Sequence, residues 1–197
     1  MLASTAPAAH TETTPCDPPS DADSTRQSPT GADMPFTPFD AELDLEVSRI
    51  IRAPRAVVWR AWSDPERLAQ WWIPGPITTR IDRLELVPGG GFVIRMSEDG
   101  TTFVPHMSAV FLAAETARRI VFTNAIDAEW RPVAPAPIAL TAEFTFTDHP
   151  EGTEYRAIAR HVTAQDRQTH ADLGFTEGWT AATEGLASIA EGEASGA

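Results

Sequence analysis

The first regular pattern along the chain is an alternation of apolar and polar residues. Leu43, Leu45 and Val47 alternate with polar neighbours. A period of two places the apolar side chains on one face of an extended chain, which is typical of a half-buried strand. We therefore expect a first strand over residues 43–52.

Two short helices are predicted directly after this strand. Pro54 suits a first helical turn because its missing N–H needs no partner there, and apolar residues at helical spacing follow. Ser63 is then the expected N-cap of a second helix, with Glu66 as the other half of a capping box. This second helix carries Trp71 and Trp72 and ends at a Pro-Gly-Pro sequence.

Residues 77–162 are predicted to form strands separated by turn sequences rich in glycine, proline and aspartate. Each segment alternates apolar with more polar positions, so one face of the resulting sheet is apolar. The short turns predict an antiparallel meander of about six strands. Glu143 projects opposite Phe144 in this pattern and is therefore expected to be solvated.

A single long helix is predicted at the C-terminal end, over residues 164–191. The strand pattern stops after Thr163, and apolar residues then recur at steps of four and three, as on one stripe of an amphipathic helix. The stripe consists of Phe175, Trp179, Ala182, Leu186 and Ile189.

Together these elements predict an α+β fold of the helix-grip type. Its expected form is a curved antiparallel sheet of about six to seven strands wrapped on the long C-terminal helix, with two short helices after the first strand. The helix must cover the apolar face of the sheet. A curved sheet leaves a cavity under such a helix rather than a flat seam.

The N-terminal residues differ in composition from the rest of the chain. Residues 1–40 are rich in Pro, Ser, Thr and Asp and contain very few aliphatic side chains. Such a segment cannot bury enough apolar surface to offset the entropy lost on ordering. We expect a disordered tail over residues 1–40, one domain over 41–192, and a frayed, small and polar C-terminus over 193–197.

Several motifs in this order resemble those of the START-like (SRPBCC, Bet v1-like) superfamily, in particular its branch named after the activator of Hsp90 ATPase, the AHSA1-like proteins. The resemblance covers roughly residues 42–191. The motifs that carry it are Ala53-Pro54-Arg55-Ala56-Val57-Val58-Trp59-Arg60-Ala61-Trp62-Ser63-Asp64-Pro65-Glu66 with Trp71-Trp72, then Pro88-Gly89-Gly90-Gly91-Phe92, Arg119-Ile120-Val121-Phe122-Thr123 and Gly174-Phe175-Thr176-Glu177-Gly178-Trp179.

The resemblance implies a helix-grip fold and the binding of a small apolar molecule, lipid-like or polyketide-like, which is the first expectation for function. A polyketide cyclase-like enzyme that uses the same cavity is the alternative, and an Hsp90-type chaperone partner is a second alternative. Eukaryotic co-chaperones of this family carry an additional large N-terminal domain. Here that place is taken by the predicted tail, which argues against the chaperone role.

Net charge narrows the classes of partner. The chain carries 15 Lys and Arg against 28 Asp and Glu, a net charge of −13, and such a surface repels phosphate backbones and anionic lipids. We therefore expect no nucleic-acid or membrane partner. The sequence contains neither a long apolar run nor a signal-like N-terminus, which predicts a cytoplasmic protein. We expect it to be a monomer or a homodimer.

No pattern for metal, cofactor or nucleophilic chemistry is found. Cys16 is the only cysteine, and the glycines at 89–91 lack the lysine and helix of a phosphate loop, so they are expected to form a hairpin turn. We expect no metal, no cofactor and no assigned catalytic residue. The predicted cavity-lining residues are Trp71, Trp72, Met96, His106, Phe122, Phe144, His161, Phe175 and Trp179.

The two histidines in this set have two interpretations. His106 and His161 could each anchor a polar group of a ligand or act as an acid or base. Each could equally be a buried histidine bonded to a neighbouring hydroxyl or carbonyl. If both pointed into an open cavity, the enzyme alternative would be favoured.

Overall fold

The computed structural model describes residues 38–135 and 137–196. The predicted disordered tail lies outside the described residues up to position 37, as does Cys16. Residues from Pro38 onward belong to one compact unit.

The described residues form seven strands and four helices. The strands are β1 (Asp44–Ile51), β2 (Thr78–Leu84), β3 (Gly91–Ser97), β4 (Val104–Glu115), β5 (Arg119–Thr123), β6 (Thr141–His149) and β7 (Gly152–Arg160). The helices are α1 (Arg55–Ser63), α2 (Pro65–Leu68), α3 (Ala164–Asp172) and α4 (Phe175–Ser195). None of these helices is long and apolar enough to cross a membrane.

All seven strands join one antiparallel sheet in the order β1-β7-β6-β5-β4-β3-β2. Strands β2 to β7 form the predicted meander, and β1 closes the order by pairing along β7. The pairings β2·β3, β3·β4 and β4·β5 each contain a register shift. Such bulges bend and twist a sheet, so they favour the curvature that opens its concave face. The helix-grip α+β fold is thereby confirmed.

The turn between β6 and β7 shows why the sequence needs glycine there. Gly152 has φ of +143°, and a Cβ at this position would lie 2.2 Å from the carbonyl oxygen of Ile51. The backbones of β1 and of this turn therefore approach each other more closely than any side chain would allow. This contact fixes one end of the sheet.

The predicted cap of the second helix was wrong by one residue. Ser63 is the last residue of α1, so its own backbone is helical and it cannot cap α2. Asp64 is extended instead, and its Oδ1 accepts hydrogen bonds from the N–H groups of Glu66 (2.9 Å) and Arg67 (3.4 Å). Helix α2 ends at Leu68, and the two tryptophans predicted to lie in it follow in a turn.

The predicted single C-terminal helix is two helices, because the chain breaks at Gly174. This residue has φ of +89°, a left-handed conformation that stops α3 and precedes the first turn of α4. Helix α4 continues to Ser195, beyond the position where fraying was expected. Glu193 is held there by Arg60 of α1 (2.5 Å) and by Arg67.

The core lies between the concave face of the sheet, α1 and α4. Trp62 is fully buried at its centre and makes edge contacts with Trp71 and Trp72, at ring-centroid distances of 5.0 and 5.4 Å. Phe144 of β6 packs against Trp62 at 4.6 Å. Mixed edge and tilted ring contacts of this kind fix the positions of the aromatic side chains that border the site.

The opposite face of the sheet carries a buried ionic network, where the sequence predicted solvent. Glu143 is only 2% exposed. It accepts hydrogen bonds from Arg119 (2.7 Å) and Arg160 (2.6 Å), and Arg160 also donates to Asp44 (2.8 Å). The expectation of a solvated Glu143 was therefore wrong, because arginines on both neighbouring strands enclose it.

Candidate functional site: an uncharged cavity under helix α4

A cavity of about 500 Å³ lies between the concave face of the sheet and helix α4. The turn after α2, strands β4 to β7, the loop before β6, helix α3 and helix α4 all contribute to its wall. The lining residues are Trp71, Trp72, Ile73, Pro74, His106, Met107, Phe122, Asn124, Pro137, Ile138, Leu140, Phe144, Tyr155, Ala157, His170, Leu173, Gly174, Phe175, Gly178, Trp179, Ala182 and Thr183.

Aromatic rings form a large part of this wall. Trp179 lies parallel to Phe144, with an interplanar angle of 8° and a centroid distance of 5.8 Å, and it contacts Phe175 at 4.7 Å. The ring of Trp71 is held in place because its Nε1 donates to the carbonyl of Ala61 at 2.9 Å. Rigid rings offer broad apolar contact to a ligand at little cost in conformational entropy.

None of the lining residues that the structure describes is Asp, Glu, Lys or Arg. The charges of this acidic chain lie elsewhere, in surface pairs and in the network on the far face of the sheet. Burying an ionised group without a partner is costly. The cavity therefore suits a neutral molecule.

A hydrogen-bonded pair of histidines lies at the edge of the cavity, and one of the two lines it. The Nδ1 atom of His161 lies 2.8 Å from the carbonyl oxygen of Leu43, and its Nε2 atom lies 2.8 Å from Nδ1 of His170. His161, just after β7, is buried, whereas His170 of α3 lines the cavity. Burial, and secondarily the electrostatic effect of the adjacent His161, lowers the pKa of His170 to about 4. The His170 ring is therefore neutral at physiological pH.

Tyr155 reaches the cavity from β7. Burial raises the pKa of its hydroxyl, an effect that Trp62 partly opposes, so the hydroxyl stays protonated. The indole Nε1 of Trp62 faces this hydroxyl without forming a hydrogen bond of regular geometry. Tyr155 thus lines the cavity as a residue, while its protonated hydroxyl is buried beside Trp62.

Asn124 and Thr183 line the cavity but serve the protein itself. Asn124 accepts from the N–H of Leu140 (2.8 Å) and donates to the carbonyl of Ile138 (3.2 Å), which ties the loop before β6 to the end of β5. Thr183 donates to the carbonyl of Trp179 at 2.8 Å within α4. Their hydrogen bonds hold the cavity wall in shape.

Seven of the nine predicted site residues line the cavity. They are Trp71, Trp72, His106, Phe122, Phe144, Phe175 and Trp179. His106 does so from β4 at the rim, where its side chain is largely exposed on the other side, and partial burial lowers its pKa.

Met96 and His161 lie outside the lining. Met96 is near the end of β3, paired with Thr79 and Val104 beyond a register shift, while the cavity lies over β4 to β7. His161 points its ring at the backbone of Leu43 and at His170, so it is a buried, hydrogen-bonded histidine. The condition set for the enzyme alternative, that His106 and His161 both face an open cavity, is not met.

Four polar lining residues were missed from the sequence: Asn124, Tyr155, His170 and Thr183. Tyr155 shares an apolar strand face with Ala157, and that alternation was a usable signal. His170 carried no signal, because its position depends on the break at Gly174 that was predicted to be continuous helix. The described residues contain no group of three or more His, Cys, Asp or Glu side chains that could hold a metal ion.

Comparisons with known proteins place this geometry among known folds. The family model for activator of Hsp90 ATPase homolog 1-like proteins matches residues 52–191. The crystal structure of a protein from Nitrosomonas europaea is similar at 34% identity and a TM-score of 0.71, covering 80% of this chain and 99% of that one. No curated protein matches the chain significantly.

More distant solved structures share the fold. A protein from Mycobacterium smegmatis is 24% identical, with a TM-score of 0.61, covering 75% of this chain and 90% of that one. An AHSA1-like protein from Aeromonas hydrophila is 21% identical, with a TM-score of 0.56, covering 77% of this chain and 94% of that one. At these identities the likeness concerns the fold alone.

Proposed function

This chain belongs to the family of activator of Hsp90 ATPase homolog 1-like proteins, within the SRPBCC superfamily, and we propose that it binds a small, neutral and largely apolar molecule in the cavity under α4. The observation that carries the proposal is the cavity itself: about 500 Å³, mostly aromatic and aliphatic, with no charged residue among its described lining. We also propose that the protein acts in the cytoplasm, as the sequence predicts.

The size and lining of the cavity support a bound molecule rather than imperfect packing. Protein interiors contain few voids larger than a water molecule. Sites for small molecules usually occupy about 300 to 1,000 Å³ and combine apolar walls with a few polar groups. The few polar residues among the lining, which are His106, Asn124, Tyr155, His170 and Thr183, fit that description.

Helix α4 offers a direct test through two of its glycines. Gly178 lines the cavity, and a Cβ built there would have no atom within 4 Å, so a larger side chain has room to enter the cavity. Gly192 has equally open space but is exposed and lies outside the lining. Both glycines are inside the helix, so Gly178→Leu and Gly192→Leu gain helix propensity alike.

The measurement is binding of N-phenyl-1-naphthylamine, a neutral apolar fluorescent probe, to each purified variant. We expect Gly178→Leu to weaken probe binding at least tenfold and Gly192→Leu to leave it unchanged, with equal circular dichroism spectra. Equal probe affinity in all three proteins would contradict the proposal. Independently of the probe, native mass spectrometry of the unmodified protein identifies any molecule that copurifies with it.

The enzyme alternative needs an acid or base that works near neutral pH. His170 lines the cavity, but its pKa of about 4 makes it a weak base there, and His106 lies at the rim. Efficient general bases have pKa values near the working pH. The properties of His170 and His106 therefore favour recognition of a ligand over proton transfer. The Hsp90-partner alternative rests on the family name alone.

A further inference from the structure

Within the proposed function, the ligand's chemistry can be specified further. We propose that the ligand carries a hydroxyl or N–H group that donates a hydrogen bond to Nε2 of His170, so that the cavity selects neutral apolar molecules that bear such a donor. The inference rests on the proposed function and concerns one atom of its site.

The backbone carbonyl of Leu43 fixes the position of the proton on His161. The carbonyl oxygen of Leu43 can only accept a hydrogen bond, so the His161 Nδ1 atom at 2.8 Å from it must carry the proton. In the neutral imidazole the other nitrogen, Nε2, is then bare and can only accept. The backbone carbonyl therefore selects the tautomer of His161.

His161 in turn selects the tautomer of His170. Its Nδ1 atom lies 2.8 Å from the bare Nε2 of His161, so Nδ1 is the donor and carries the single proton of the neutral ring. Nε2 of His170 is left with a lone pair. The chain from Leu43 through both rings thus ends in a hydrogen-bond acceptor.

The two nitrogens of the His170 ring lie on opposite sides of it, so they have different surroundings. Nδ1 is directed at His161, which lies outside the cavity lining, and Nε2 lies on the opposite edge of a ring that does line the cavity. No described residue forms a hydrogen bond with Nε2 of His170. Nε2 is also absent from the described side-chain atoms that are fully buried without a partner, so it is accessible. The acceptor is therefore open to an occupant of the cavity.

The ring of His170 is also held in place. Phe175 and Trp179 meet it edge to face, at centroid distances of 4.9 and 6.0 Å and interplanar angles of 76° and 74°. A ring fixed by two aromatic contacts and one hydrogen bond cannot turn to offer its N–H to the ligand. A site built around a fixed acceptor discriminates strongly against ligands that lack the donor.

The test compares two ligands that differ in one group. The ligand 2-naphthol has a hydroxyl donor, whereas 2-methoxynaphthalene has the same rings but no donor. Burial of apolar surface alone would favour the methyl ether, since it has one more carbon. We expect the opposite order, with 2-naphthol binding at least tenfold more tightly, measured by displacement of N-phenyl-1-naphthylamine from the full chain.

A variant then assigns the preference to His170. His170→Phe keeps a flat ring but removes the acceptor, and we expect it to abolish or invert the preference. His149→Phe is the matched control, because His149 is the last residue of β6, outside the cavity lining, and the change should leave the preference intact. Should His170→Phe fail to fold, nitrogen NMR of the unmodified protein still decides the matter. We expect a bare Nε2 on His170 whose resonance shifts when 2-naphthol is added.

The outcomes separate this inference from the proposed function. If neither naphthalene nor the fluorescent probe binds, both fail. If the probe binds but the two naphthalenes bind equally, or the methyl ether binds better, the inference is overturned and the proposed function stands. A protonated Nε2 on His170 in the NMR spectrum would overturn it as well.

Discussion

Glu143→Gln should be among the most destabilising single substitutions of a polar residue in this protein. The carboxylate is 2% exposed and accepts charged hydrogen bonds from Arg119 and Arg160 on the two neighbouring strands. The amide of Gln keeps the shape and one acceptor but removes the negative charge. Two guanidinium groups, with side chains 11% and 18% exposed, would then face each other across a neutral group.

The size of the effect follows from this burial. Removing one partner of a buried ion pair costs about 3 to 5 kcal/mol, because the remaining charge stays desolvated. Arg160 retains Asp44, and Arg119 retains Glu115 at 3.8 Å, so each arginine keeps a second carboxylate. We therefore expect the lower end of the range, about 3 kcal/mol.

Urea unfolding, followed by tryptophan fluorescence, measures the loss in the free energy of unfolding. Glu46→Gln is the matched control, since Glu46 pairs with Arg156 at 2.5 Å but both side chains are substantially exposed, 27% and 35%. A surface pair of this kind contributes about 0 to 1 kcal/mol. Equal losses of stability in Glu143→Gln and Glu46→Gln would refute this prediction, because burial would then make no difference to an ion pair.

Three further predictions concern the cavity and the helix break. Trp179→Ala should cost about 1 to 2 kcal/mol in urea unfolding, less than the 3 to 5 of a fully packed ring, because Trp179 borders the cavity and is only partly buried; a neutral effect on both stability and probe affinity would contradict its placement. Gly174→Ala should cost about 1 to 2 kcal/mol, since φ is +89° but no atom except a carboxylate oxygen of Glu177 at 3.8 Å lies near the new Cβ; an unchanged unfolding midpoint would exclude the left-handed break. The pKa of His170 is about 4 in the folded protein and 6.5 in the unfolded chain, so between these pH values the unfolded chain binds a proton at His170 and the folded protein does not. Stability present above pH 6.5 is therefore lost as the pH falls toward 4, by about 1 to 2 kcal/mol after solvent screening, and His170→Gln should show less of this loss in unfolding curves at stepped pH.

Local patterns in the sequence were sufficient for the order of elements. Alternation at Leu45 and Val47 marked β1, turn residues marked the ends of the six following strands, and the stripe through Phe175 and Leu186 marked α4. These signals depend only on neighbours a few residues away. The family resemblance then supplied the arrangement of the elements, and the family model matches residues 52–191.

Features that depend on pairs of distant residues could not be predicted in the same way. Glu143 looks like a solvated carboxylate until its strand neighbours bring Arg119 and Arg160 against it, 24 and 17 positions away in the chain. His161 and His170 meet because α3 brings His170 back against the end of β7. The acceptor at His170 depends on hydrogen bonds that link Leu43, His161 and His170, and no local sequence pattern connects these three residues.

The break at Gly174 gives this cavity its polar anchor. If residues 164–191 formed one helix, as their periodicity predicts, the direction of α3 would be set by α4. The left-handed residue frees α3 from that axis, and α3 then packs His170 against His161 at the end of β7. The sheet and α4 provide apolar volume, whereas α3 provides the directed acceptor. It follows that changes in α3 can alter which molecules are selected while the rest of the cavity keeps its shape.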